Sequence, residues 1–255
     1  MTKILGISAF YHDSAAALIE DGKIISCIQE ERISRKKNDH SFPRLSIKKI
    51  LEINNINLSE IDYVVFYEKP FLKFERLIET YVKNSPKGFR SFVTSIPFWV
   101  KEKLFQKKNI LDYLFEIDET FDKKKCNLLF SNHHLSHASS AYYPSPFDDA
   151  AILTLDGVGE WTTTAIYLAE KNKILLKEKI DFPNSLGLLY SSFTQYLGFK
   201  VNEDEYKVMG LAPYGEPKYK KKILDNLLIV KEDGSYYLNQ DYFNYSVGLT
   251  MTNKK

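Results

Sequence analysis

With 255 residues, 44% hydrophobic and 27% charged, the chain has the composition of a globular protein, long enough for one large domain or two smaller ones. A formal net charge of +2 argues against nucleic acid or an anionic membrane surface as the main partner. No apolar run reaches the length that spans a bilayer.

The N-terminal MTKILGISAF runs straight into a strand pattern, without the apolar core and cleavage site of a secretory signal. Cys27 and Cys126 form no CxxC and sit in apolar contexts, so buried free thiols in a reducing, cytoplasmic setting are expected. KILGISA (3–9) reads as a buried strand, FYHDS (10–14) as a turn, and AAALIEDGKIISCIQEERIS as two strands joined by the Asp21-Gly22 of a tight hairpin. A polar, basic segment follows, SRKKNDHSFP (34–43). In RLSIKKILEINN, helical spacing places Leu45, Ile47, Ile50, Leu51 and Ile53 on one buried side. DYVVFY (62–67) is the next strand, and the aromatic, lysine-rich stretch 70–122 reads as an amphipathic helical insertion with a solvated face. CNLLFSN (126–132) is a strand that delivers His133.

From Ala150 the pattern restarts: strand, short polar loop, small-residue strand, charged turn, strand. ILGISAFYHDSAAALIEDGKII and ILTLDGVGEWTTTAIYLAEKNKIL look like two copies of one unit. Three antiparallel strands followed by helix, strand, helix, strand is the ribonuclease-H-like topology, and two copies with a nucleotide in the cleft make the actin-like (ASKHA) ATPase architecture. The expected class is therefore α/β, with residues 1–149 as the first half, an insertion at about 70–122, and residues 150–255 as an incomplete second half. NSLGLLYSSFTQYLGFK supplies a helix burying Leu186, Leu189, Tyr190, Phe193 and Leu197, after which the chain turns through Gly210, Pro213 and Gly215 into a basic helix and a hairpin.

Three groups of residues can carry chemistry. His133 and His137, four apart on a helix, put two imidazoles one turn apart, within reach of one metal ion. Asp156, at the end of the strand AAILTL, is the natural third ligand, and His134 faces about 100° away in a structural role. Nitrogen and oxygen donors suit iron, zinc or manganese. Asp156-Gly157-x-Gly159 also offers backbone amides to a phosphate. Gly187 and Gly210 either admit a nucleotide against the backbone or serve close helix packing. His12, in the loop after the first strand, can take a proton from a hydroxyl near neutral pH or be a plain surface-loop histidine, and Arg35, Lys36 and Lys37 either hold phosphate or a carbamoyl oxygen or simply face solvent.

Taken in order, GISAFYHDSAAALIEDGKI, EERISRKKNDHSFP, NHHLSHASSAYYPSPF, AAILTLDGVGEWTTT, and GLLYSSFTQYLGF with EYKVMGLAPYGEP resemble the O-carbamoyltransferases of the NodU/CmcH/TobZ type. The resemblance leaves out only the helical insertion and the tail. It implies an actin-like N-terminal part working with a C-terminal YrdC-like domain that makes carbamoyl adenylate from carbamoyl phosphate and ATP. The carbamoyl group then passes to a hydroxyl of a small-molecule or sugar acceptor. By motif, His133, His137 and Asp156 are implied to bind a divalent metal, iron in this family. His12 is the implied base, Lys37 lies at the carbamoyl end, and Gly157, Gly187 and Gly210 line the nucleotide. The family's Lys-His-Asp in the basic loop is Lys37-Asn38-Asp39 here. The family also runs to more than twice this length, with a later ligand aspartate and the YrdC-like domain. A fragment, a split-gene product or a degraded copy is expected, and a non-catalytic nucleotide- and metal-binding subunit needing a separate YrdC-like chain is the competing reading. Threonylcarbamoyl transfer to tRNA is weaker, for want of a basic face.

Overall fold

The computed structural model describes residues 1–100 and 104–253, with Phe98 described by its backbone alone. In chain order come β1 (Lys3–Ser8), β2 (Ala15–Glu20), β3 (Lys23–Gln29), α1 (Glu31–Ser34), α2 (Arg44–Asn54), β4 (Tyr63–Phe66), α3 (Pro70–Asn84), α4 (Phe89–Trp99), α5 (Gln106–Ile117) and β5 (Asn127–Phe130). After these follow α6 (His133–Tyr142), β6 (Asp149–Leu155), β7 (Thr162–Glu170), β8 (Lys173–Asp181), α7 (Leu186–Tyr196), α8 (Glu205–Leu211), α9 (Lys220–Asn226), β9 (Leu228–Val230) and β10 (Tyr236–Leu238). Packing separates two mixed α/β units: Met1–Pro70 with Val100–Asn132, and Phe71–Trp99 with His133–Lys255.

Unit 1 is built on a five-stranded sheet of order β3-β2-β1-β4-β5, in which β1, β2 and β3 are antiparallel and β4 and β5 run parallel to β1. Register follows from the period-2 pattern. Leu5 lies opposite Leu18 on one side and Val64 on the other, and Ile7 opposite Ala16 and Phe66, so one face is wholly apolar. All six side chains are buried. The β2–β3 turn carries left-handed Asp21 (φ 46°) and Gly22 (φ 81°), the backbone twist a two-residue hairpin requires. Helix α2 adds Ile47, Ile50 and Leu51 to this core. Leu45 and Ile53, expected on the same side, are 42% and 59% exposed, because the buried stripe of one helix face is narrower than the five-residue set. Within the stretch 70–122, α5 is amphipathic: Ile110 and Leu114 are fully buried in this core with the following Phe121, while Lys107 and Lys108 are exposed.

Unit 2 contains a second antiparallel meander, of order β6-β7-β8. Helix α6 covers one face, where Ala138 and Tyr142 pack with Ile152, Ala165, Tyr167 and Ala169. The alternate residues Leu153, Leu155, Ile166, Leu168 and Leu175 leave the other face both apolar and exposed. A smaller cluster joins Leu189 of α7 to Leu238 of β10 and to Phe243. On α7 the buried residues are Leu189, Ser191, Ser192 and Thr194, whereas Tyr190 and Leu197 of the expected face are exposed. The hydroxyls tolerate burial because Ser192 and Thr194 donate to the carbonyls of Leu188 and Tyr190 one turn back. Two local expectations also change. Gly210 lies inside α8 rather than in a turn, and Cys27, on β3, is exposed rather than buried. No helix among the described residues is long and apolar enough to cross a membrane.

Candidate metal centre

The His133–His137 pair and Asp156 meet at one point of unit 2. Helix α6 begins at His133, so the i, i+4 spacing stacks the two imidazoles on one face, and β6 ends at Leu155, so Asp156 leaves the strand beside them. His133 Nε2 is 2.7 Å from Asp156 Oδ2 and 3.0 Å from His137 Nε2, and His137 Nε2 is 3.8 Å from the same carboxylate oxygen. The three donor atoms lie within 4.8 Å of one another. His133 is buried, Asp156 partly buried and His137 exposed, so the set opens to solvent on the His137 side.

The carboxylate is oriented by its two oxygens in different ways. Oδ1 accepts the Gly157 amide at 2.7 Å, which turns Oδ2 toward the rings. Burial alone would raise the Asp156 carboxyl, but hydrogen bonds from His133 and His137, the His133 charge when that ring is protonated, and the Gly157 amide outweigh it and hold Asp156 well below the usual carboxylate range. Asp156 is thus an anion over the whole working pH range. With the ring protons on Nδ1, two nitrogen lone pairs and one anionic oxygen converge. Their separations straddle the roughly 3.0–3.4 Å expected of ligands about 2.1 Å from one ion. This donor chemistry fits a borderline divalent metal.

The surrounding shell explains why the backbone holds this shape. A carboxylate in front of α6, that of Glu160, accepts the His133 amide with both oxygens, at 3.0 and 3.1 Å, capping the helix where its dipole favours negative charge. His134 is buried with Nδ1 2.7 Å from Thr154 Oγ1 and Nε2 2.8 Å from the Thr162 carbonyl, the structural role expected for it. Burial lowers its pKa, so the ring stays neutral. Ser185 caps α7 by accepting the Leu188 amide, and its hydroxyl lies 2.9 and 2.7 Å from the carbonyls of Asp156 and Gly157. One glycine is sterically required and a second is closely packed. A Cβ on Gly187 would come within 2.5 Å of the Asp156 carbonyl and the Gly157 nitrogen, and one on Gly159 would stand 3.0 Å from His133 Cβ, a tight contact.

The other residues singled out in the sequence fall elsewhere. His12 and Lys37 belong to unit 1, in loops that are stitched together: Phe10 N donates to the His40 carbonyl and Ser14 N to that of Asp39. His12 is exposed, with Nδ1 2.9 Å from Asp13 Oδ2. Lys37 is exposed. Buried Asp39 shapes this loop by accepting the Ser41 hydroxyl and amide. The Ser41 hydroxyl, working against burial, lowers the Asp39 pKa to about 2. Gly157 and Gly187 lie in the metal centre's loop and helix start, whereas Gly210 is exposed in α8 with nothing near its missing Cβ. Glu160, Arg76 and Ser185 were not anticipated. Glu160 sits in the DGVGE run and was legible as an acidic residue beside a ligand, but Arg76 is more than 80 residues from its partners and no local signal marks it.

Known proteins resemble the chain along its whole length. It is 57% identical over 255 residues to the uncharacterized protein sll1178 of Synechocystis sp., covering all of this chain and 42% of that protein. It is 34% identical over 238 residues to the nodulation protein NolNO of Sinorhizobium fredii, covering 92% of this chain and 32% of the relative. The chain therefore spans less than half the length of these relatives. Among solved structures, YeaZ from Pseudomonas aeruginosa aligns with a TM-score of 0.41 at 13% identity, over 72% of this chain and 68% of that one. The family model described as carbamoyltransferase N-terminus matches residues 3–255. A match of that extent decides membership: the chain belongs to the carbamoyltransferase N-terminus family.

Proposed function

We propose that the chain is the acceptor-side, N-terminal part of an O-carbamoyltransferase that passes a carbamoyl group from carbamoyl adenylate to a hydroxyl of a small molecule or sugar. One observation carries this reading: in a member of this family, His133, His137 and Asp156 converge within 4.8 Å. The proposed metal, ferrous iron by the family resemblance, supplies Lewis-acid stabilisation of the adenylate phosphate and so makes it a better leaving group. Gly157 and Gly187 are the proposed backbone contacts of the nucleotide, with Gly210 a further one. His12 is the proposed base for the acceptor hydroxyl, a role supported by Asp13, which fixes its Nδ1. Lys37 is proposed at the carbamoyl oxygen. The adenylate itself comes from carbamoyl phosphate and ATP on a YrdC-like domain or chain.

The strand order of unit 1 supports an actin-like architecture in which residues 1–149 are one ribonuclease-H-like half and 150–255 the start of another. A second reading, a nucleotide- and metal-binding subunit inactive without its YrdC-like partner, is favoured by one observation: the outer face of the β6–β7–β8 sheet is exposed and apolar. A cytoplasmic setting belongs to both readings.

Melting the purified chain with and without ATP and Mn2+ or Fe2+, beside His137→Ala, tests the site, since a ligand of the native state raises the melting temperature by mass action. A metal-dependent ATP shift that the variant loses is the expected result. A well-folded wild-type protein with no shift refutes a nucleotide site within these residues. Carbamoyl transfer appearing only on addition of a YrdC-like protein selects the second reading.

A further inference from the structure

Helix α3 has no part in the donor set, yet it reaches the loop that carries Asp156. The Arg76 guanidinium donates through Nη1 to the carbonyls of Gly159, at 2.7 Å, and Glu160, at 2.6 Å, and its Cζ stands 5.6 Å from the centre of the Phe182 ring. Those carbonyls belong to the five-residue turn Asp156–Glu160. One end of that turn supplies the ligand oxygen, and the other end supplies the carboxylate that holds the first amide of α6. Gly159 lies under the His133 ring, 3.0 Å from its Cβ at the position a side chain would take.

We infer that Arg76 and Glu160 are positioning residues for the His133–His137–Asp156 centre, forming a clamp through which the helical segment after β4 sets the distance between the ligand helix and the ligand loop. The physical reasoning is as follows. The first half of the turn is held by Asp156 N to the Thr163 carbonyl and by the Ser185 hydroxyl at the carbonyls of Asp156 and Gly157, whereas the second half has only Gly159 N to the Thr162 carbonyl besides the Arg76 contacts. Without further ties, the Gly157–Gly159 stretch can swing by rotation about glycine backbone bonds. A guanidinium nitrogen donating to two successive carbonyls removes that freedom, and the rigid plane and permanent charge of the group hold the two contacts together. Glu160 is buried, so its charge interacts strongly with the N-terminal dipole of α6 and holds the start of that helix against the turn. Ligand spacing then depends on a residue outside every motif of the site. The inference rests on the metal reading proposed above.

The test titrates the full chain, as wild type, Arg76→Ala, Arg76→Lys and Glu160→Gln, with Co2+, recording its visible absorption alongside far-UV circular dichroism and melting temperature without metal. A tie of this kind is expected to change metal affinity 10–100-fold. Arg76→Ala and Glu160→Gln should weaken Co2+ binding by that factor and alter band intensity, which reports ligand geometry, while Arg76→Lys recovers part of both. Folded variants with wild-type affinity and an unchanged band overturn the clamp but leave the metal reading standing. A wild-type chain that gives no Co2+ band overturns the metal reading and the clamp with it. If Arg76→Ala fails to fold, Glu160→Gln and Arg76→Lys decide the question by the same criteria.

Discussion

Gly187 gives the sharpest test of how the centre is built. Replacing its hydrogen with a methyl group places a Cβ 2.5 Å from three backbone atoms, the Asp156 carbonyl carbon and oxygen and the Gly157 nitrogen. None of these is the end of a flexible side chain, so the strain cannot be relieved by a rotamer change. Restoring ordinary contact at 3.4 Å requires the start of α7 and the Asp156–Gly157 peptide to separate by about 0.9 Å, the difference between the two distances. The Ser185 hydroxyl bridges the same gap at 2.7–2.9 Å, and a displacement of that size breaks its hydrogen bonds. Overpacking costs about 1–3 kcal/mol and loss of the single hydroxyl proton's hydrogen bond, shared between the two carbonyls, about 1 kcal/mol, so Gly187→Ala should destabilise by about 2–4 kcal/mol. The same shift moves Asp156 and should weaken Mn2+ binding. Gly210→Ala is the control, because its Cβ meets nothing within 4 Å and the residue lies inside α8. There the change should be neutral or stabilise by up to about 1 kcal/mol, the helix propensity difference. Urea denaturation with Mn2+ titration reads both. Equal stability and equal Mn2+ affinity for the wild type and Gly187→Ala would refute the reasoning.

Four further outcomes are expected. His137→Ala should abolish the metal-dependent rise in melting temperature while leaving the metal-free melting temperature nearly unchanged, since His137 is exposed. Ile50→Ala should cost about 2–5 kcal/mol by urea denaturation and Ile53→Ala, on the same helix, under about 1 kcal/mol, because Ile50 is fully buried and Ile53 is 59% exposed. For Asp39, whose pKa in the fold is lowered to about 2, the ionised form is stabilising: its contribution is complete above the ordinary carboxylate pKa and fades as pH falls from about 4 through about 2. Asp39→Asn should therefore cost about 1–2 kcal/mol at neutral pH, a gap that closes on acidification to pH ~2. Replacing Leu153 and Leu168 with lysine should lower binding of a hydrophobic dye and cost little stability, since these residues are 60% and 44% exposed.

Much of the fold was legible locally, and the reasons are specific. Alternation in KILGIS and AAALIE determined which side chains share the buried face of unit 1, because strand side chains have a period of two and no other register buries Leu5, Ile7 and Leu18 together. Asp21-Gly22 specified its hairpin through two left-handed residues. The convergence of His133, His137 and Asp156 was legible for the same kind of reason: an i, i+4 pair on a helix and a residue at a strand end are positions that local geometry dictates.

Where prediction failed, the quantity at issue was burial or distance in sequence. Periodicity ranked Leu45 with Ile47 and Tyr190 with Leu189, but how wide a stripe is covered depends on what packs against it. Ser192 and Thr194 are buried because helix carbonyls satisfy their hydroxyls, and Ser191 because the Glu205 carboxylate satisfies its own, although composition alone reads all three as surface. Gly187 and Gly210 look alike in sequence, yet one faces a peptide at 2.5 Å and the other faces open space. Arg76 is invisible locally because its partners are 83 and 84 residues away. The sequence by itself determined the elements, their inward faces and the three donors. Only the tertiary structure decided which glycine lies against a neighbouring peptide and which arginine donates to the Gly159 and Glu160 carbonyls, because both depend on contacts between segments that no local pattern encodes.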